Sequence, residues 1–175
     1  MPSAALERHP ASSCAALRAI EAAVTRQRNG TLQLAYRIEG DLARLRVPAP
    51  RAARVADKLW QHTCCELFVG ELAGPGYQEF NFSPSGEWAA YRFTRYREGV
   101  PLVAPDPKIR VQRSAGRLEL HAQVVLQLPL KPLIGLSAVI EEQDGTLSYW
   151  ALRHAPGKPD FHHRDAFALA LDEAR

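Results

Sequence analysis

From residue 31 onward, apolar and polar residues alternate in short runs. In residues 31–38 the apolar positions are Leu32, Leu34, Tyr36 and Ile38, the two-residue period of a half-buried strand. Glu39-Gly40-Asp41 reads as a turn, and residues 42–47 alternate again, predicting another strand. Residues 64–69 put Cys65, Leu67 and Val69 on one face and Glu66 and Phe68 on the other. Gly74-Pro75-Gly76 breaks the chain. Residues 77–82 and 87–96 then flank Ser83-Pro84-Ser85-Gly86 as a hairpin. A proline-rich loop covers 99–107. Residues 108–113 and 117–127 flank Ser114-Ala115-Gly116, a three-residue hairpin loop. The second arm directs Leu118, Leu120, Ala122, Val124 and Leu126 inward, with Glu119, His121 and Gln123 outward. Asp144-Gly145 joins strands at 135–142 and 146–152, and residues 166–171 form a last short strand.

About ten short strands joined by turns define an all-β fold, a two-sheet antiparallel β-sandwich. The chain reads as one domain over residues 1–175, with 1–14 a loose N-terminal arm. One segment dissents. Leu17, Ile20 and Val24 recur at helical spacing in an alanine-rich stretch, so local propensity favours a helix over 14–27.

Composition narrows the function. The 175 residues are 46% hydrophobic and 23% charged, an ordinary globular balance. The net charge of +3 is too small to argue for nucleic acid. The excess is uneven: residues 1–60 hold ten Lys/Arg against five Asp/Glu, which reads as a solvated basic face. The polar start carries no apolar leader, and no run is long enough to span a membrane. Three cysteines, Cys14, Cys64 and Cys65, make no disulfide framework and fit a reducing, cytoplasmic setting. Cys64 and Cys65 are strand neighbours pointing to opposite faces, a poor pair for a disulfide or for zinc.

Three blocks carry a resemblance: Leu59-Trp60-Gln61-His62-Thr63-Cys64-Cys65-Glu66-Leu67-Phe68-Val69; Tyr77-Gln78-Glu79-Phe80-Asn81-Phe82-Ser83-Pro84-Ser85-Gly86-Glu87-Trp88-Ala89-Ala90-Tyr91; and Ser148-Tyr149-Trp150-Ala151-Leu152, running on to Lys158-Pro159-Asp160-Phe161-His162-His163. Together they resemble the DOMON-like and type 9 carbohydrate-binding-module-like domains, over about residues 15–172. The resemblance implies a jelly-roll sandwich that binds a ligand, a sugar or haem, without transforming it. It also implies an edge strand at 17–27 in place of the helix.

The candidate chemistry lies in the same blocks. Sugars present apolar C–H faces, so their sites pair aromatic platforms with a few hydrogen-bonding groups. Trp60, Trp88 and Trp150 are the candidate platforms. Glu66, Glu79 and Asn81 are candidate acceptors, brought onto one sheet face if their two strands pair. His62, and Arg153, His154 and His162 of the last loop, complete the candidate ligand-binding set. His162 and His163 are adjacent, an awkward spacing for a shared ion, so no metal site is expected. A Ser83 or Ser85, His154 and Asp160 triad exists on paper, but Ser-Pro-Ser-Gly is a turn and no nucleophile elbow is present. The chain therefore reads as no enzyme. Haem-binding DOMON relatives use Met and His ligands. Met1 is the sole methionine here, which leaves a bis-His site from His62 with His154 or His162. The ligands thus order as a saccharide first, haem second, and a protein-interaction or structural role without a small ligand third.

Overall fold

Two-residue alternation carries through to twelve strands in the computed structural model, which describes residues 3–171. In chain order they are β1 (Ala4–Arg8), β2 (Leu17–Arg26), β3 (Thr31–Gly40), β4 (Cys64–Glu71), β5 (Tyr77–Phe82), β6 (Trp88–Arg95), β7 (Glu98–Pro101), β8 (Lys108–Arg113), β9 (Arg117–Val125), β10 (Pro132–Glu141), β11 (Leu147–Ala151) and β12 (Leu169–Ala170). Every strand pair is antiparallel. One sheet runs β7-β6-β5-β4-β10-β11, with β12 also beside β10; the other runs β1-β2-β3-β9-β8. The all-β sandwich read from the sequence is the fold.

The inner faces meet in one core. Ile20, Leu34, Tyr36, Leu120 and Val124 come from the smaller sheet, and Leu67, Phe80, Phe82, Leu136 and Ile140 from the larger. The Tyr36 phenol crosses the layer and donates to the backbone carbonyl of Glu66 at 2.6 Å, satisfying a polar group that burial would otherwise leave costly. In β9, Leu118, Leu120, Ala122 and Val124 point inward as expected.

The structure corrects several expectations. Residues 42–47 form no strand: Leu42–Arg44 is a 3₁₀ turn capped by the Asp41 carboxylate, and Leu45 makes an isolated bridge to Glu142, beside the Arg46 amide on the Glu141 carbonyl. Residues 17–26 are a strand, not a helix, because β1 and β3 take their backbone groups from both sides. For the same reason β2 is an interior strand, not an edge. The N-terminal arm holds β1, which pairs with β2 through Ala4–Leu6 and with β11 through Glu7 and Arg8, joining the two sheets. The loop at 99–107 begins within β7, an edge strand on β6.

The outer face of the larger sheet carries a second, smaller apolar cluster. Phe68, Tyr77, Val139 and Ala151 face away from the main core and are covered by Phe161, Ala166 and Phe167 of the loop between β11 and β12. Glycines make room for that loop: a Cβ at Gly70 would stand 2.8 Å from the Phe167 ring, and one at Gly135 would stand 3.0 Å from it.

Candidate functional site

On this outer face, strand parity and register gather a polar floor. Glu66 of β4 stands opposite Asn81 of β5 on one side and Ser137 of β10 on the other. Glu79 lies two residues before Asn81 and so shares its face. The Asn81 amide donates to Glu79 Oε1 at 2.9 Å, and the Ser137 hydroxyl donates to Glu66 Oε2 at 3.1 Å. Asn81 is fully buried, and its Oδ1 has no donor. Burial pushes the Glu79 carboxyl up to about 7 against the Asn81 hydrogen bond. Glu66 is raised well above the carboxylate range, by burial first and by the charge of Glu79 second.

His162 stands over this floor, its Nε2 3.7 Å from Glu79 Oε2 and its Nδ1 2.8 Å from the Tyr77 hydroxyl. The Arg97 amide donates to that hydroxyl oxygen at 3.0 Å, so the phenol is held from both sides. Burial, helped by the nearby Arg97, pushes His162 down to about 4. At neutral pH it is uncharged and does not neutralise the carboxyls.

Above the floor opens a cleft of about 680 Å³, within the size range of small-molecule sites. Tyr91 and Phe93 of β6, Tyr149 of β11 and Phe161 of the last loop bring aromatic surface to it, and Val139 lies between. Trp60 sits at its border on a 3₁₀ turn, Leu59–Gln61, and is 48% exposed. Tyr91 holds that segment by donating to Asp57 Oδ1 at 2.7 Å. Across the mouth, Asp160 accepts from Tyr96 at 2.6 Å and from Arg97 at 2.9 Å, tying the last loop to the β6–β7 turn.

Of the residues singled out in the sequence, Trp60, Glu66, Glu79 and His162 line this cleft, and Asn81 is bonded to one of them. The others lie elsewhere. Trp88 and Trp150 point into the core between the sheets, 2% and 6% exposed; the Trp150 indole donates to Ser148. His62 pairs with Glu141 at 2.8 Å. His154 bonds the Glu7 carbonyl and packs edge-on against His9. Arg153 is exposed and borders no part of the cleft. Ser83 and Ser85 bond each other, and Ser85 donates to Glu87, so the paper triad is not assembled.

The residues do not fit a bis-His haem site. His162 is the histidine that lines the cleft, with both ring nitrogens turned toward Tyr77 and Glu79, while His62 and His154 are engaged outside it. The sequence reading missed Tyr91, Phe93, Tyr149, Phe161, Asp57 and Arg97. Register carried the signal for two of them: the Ser83–Gly86 turn sets Tyr91 opposite Glu79 and Phe93 opposite Tyr77.

No protein-family model and no curated protein matches the chain. Two solved structures do. One is a protein from Bacteroides uniformis provisionally assigned as carbohydrate-binding, with a TM-score of 0.59, 14% identity, and coverage of 88% of this chain and 78% of that one. The other is a family 9 carbohydrate-binding module from Caldicellulosiruptor kristjanssonii in complex with glucose, with a TM-score of 0.50, 10% identity, and coverage of 87% and 76%. The chain thus has the β-sandwich fold of these modules, in keeping with the type 9 side of the resemblance.

Proposed function

We propose that the cleft on the outer face of the larger sheet binds a saccharide and releases it unchanged. The observation that carries this reading is the pairing of an exposed tryptophan and aromatic walls with a buried floor of carboxyl and amide acceptors in one 680 Å³ cleft. An aromatic face takes the C–H side of a sugar ring, and the floor takes its hydroxyls. An apolar core has no use for Glu66, Glu79 and Asn81, whose burial costs free energy unless partners arrive. The two solved structures, one of them holding glucose, support the same assignment.

Tryptophan fluorescence tests it. Trp88 and Trp150 are buried between the sheets, so a saccharide in the cleft should report through Trp60. Titration with mono- and disaccharides should change the emission saturably. Trp60→Ala should remove that change and weaken binding about tenfold, the scale of one aromatic contact with its buried area. An unaltered affinity in Trp60→Ala would refute the assignment.

A further inference from the structure

The floor of the cleft is short of donors. Among the described residues, one Glu66 carboxyl oxygen and Glu79 Oε2 receive no hydrogen bond, and Asn81 Oδ1 is buried with no donor. Ser137 is engaged on Glu66, the Asn81 amide on Glu79, and Arg97 on Asp160 and Tyr96. His162 Nε2, at 3.7 Å from Glu79, lies beyond hydrogen-bond reach. Among the described residues no cation bonds to either buried carboxyl: Arg97 lowers Glu79 through its charge, but its guanidinium is held by Asp160 and Tyr96. Lys58 and Lys158 also border the cleft, but both are exposed, where water and salt weaken their field at the floor. The rings of Tyr91, Phe93, Tyr149 and Phe161 line the same cleft, and aromatic faces attract positive charge.

We infer that the cleft is selective for a saccharide bearing a free ammonium group, an amino sugar, whose nitrogen enters between Glu66 and Glu79. An ammonium brings three donors and no acceptor, which matches the open oxygens of the floor once the carboxyls give up the protons that burial makes them hold. Its charge then stabilises the ionised carboxyls. A neutral hydroxyl donates once and brings no charge, and an N-acetyl group replaces the cation with a bulkier amide. This rests on the saccharide reading above. The raised Glu79 adds a consequence: cation binding should favour its ionised form, so the protein should release protons as the amino sugar binds near pH 7.

The test compares glucose, glucosamine and N-acetylglucosamine by calorimetry at one pH and in two buffers of different ionisation enthalpy. Glucosamine should bind at least about tenfold more tightly than either neutral sugar, the scale of a charge-assisted hydrogen bond over a neutral one. The buffers should reveal proton release for glucosamine alone. Glu66→Gln and Glu79→Gln should cut the ratio of glucosamine to glucose affinity to within a few-fold and abolish the proton release, with an unchanged near-ultraviolet dichroism spectrum as evidence that the fold is intact; a folded variant that still prefers glucosamine tenfold would overturn the inference. If wild type binds glucose and glucosamine equally, or prefers N-acetylglucosamine, the inference fails and the saccharide reading stands. If no sugar binds, both fail.

Discussion

Glu79 and His162 sit one above the other with their proton affinities pushed in opposite directions, and each leaves a mark on stability. Between about pH 4.5 and 7 the folded protein keeps a Glu79 proton that the unfolded chain has released, so this residue makes stability fall as pH rises through that window. His162 acts the other way. Between about pH 6.5 and 4 the unfolded chain takes up a proton that the buried imidazole refuses, so its contribution falls as pH drops. Glu79→Gln removes the first effect. The melting temperature of the variant relative to wild type should therefore climb steadily from pH 5 to pH 7. A difference that is flat with pH would show that Glu79 ionises as freely in the fold as in the unfolded chain.

At the scale of elements, the loop between β11 and β12 is what turns a sheet face into a cleft. It lies down because Gly70 and Gly135 leave a slot for Phe167, which stacks on Phe68 at 5.7 Å, and because Arg164 reaches the carbonyls of Glu71 and Gly74. Gly70→Ala puts a methyl into that ring. It should cost about 1–3 kcal/mol, the usual range for overpacking, measured by denaturant unfolding. It should also weaken saccharide binding, although Gly70 does not line the cleft, since the displaced loop carries Asp160, Phe161 and His162. Full binding in a destabilised Gly70→Ala would mean that the loop holds its place by other contacts.

Legibility divides along the same lines. β9 could be read at once because Leu118, Leu120, Ala122 and Val124 alternate without a break against polar neighbours. The carboxyl floor could be read from the parity of Glu66, Glu79 and Asn81. Trp88 and Trp150 could not be placed by residue type, since tryptophan suits a core as well as a sugar platform. What fixes them is parity with Phe82 and Ile140, strand partners or near neighbours on the inner face. β1 was hidden because Ala4-Ala5-Leu6-Glu7-Arg8 buries a single large side chain, Leu6, and draws its order from partners at residues 20–22 and 150–151. Residues 42–47 misled for the converse reason: they alternate, but Asp41 captures the Ala43 amide and starts a turn.

For the whole molecule, β1 is the seam. It lies between β11 and β2 in the strand order, so the two layers are joined by backbone hydrogen bonds as well as by core packing. Removing residues 1–9 should cost at least about 2–3 kcal/mol from Leu6 and its ladder, or roughly 5–10 °C in Tm. A shift under about 2 °C would show that the sandwich closes without the seam. The seam also sets a timetable. During synthesis β1 emerges ahead of the other described strands, yet Arg8 pairs with Trp150, which is made 142 residues later. At ordinary translation rates of about 5–20 residues per second that delay is of the order of ten seconds. Until then β1 waits for a partner made much later, and the ladder that joins β1 to β11 is missing.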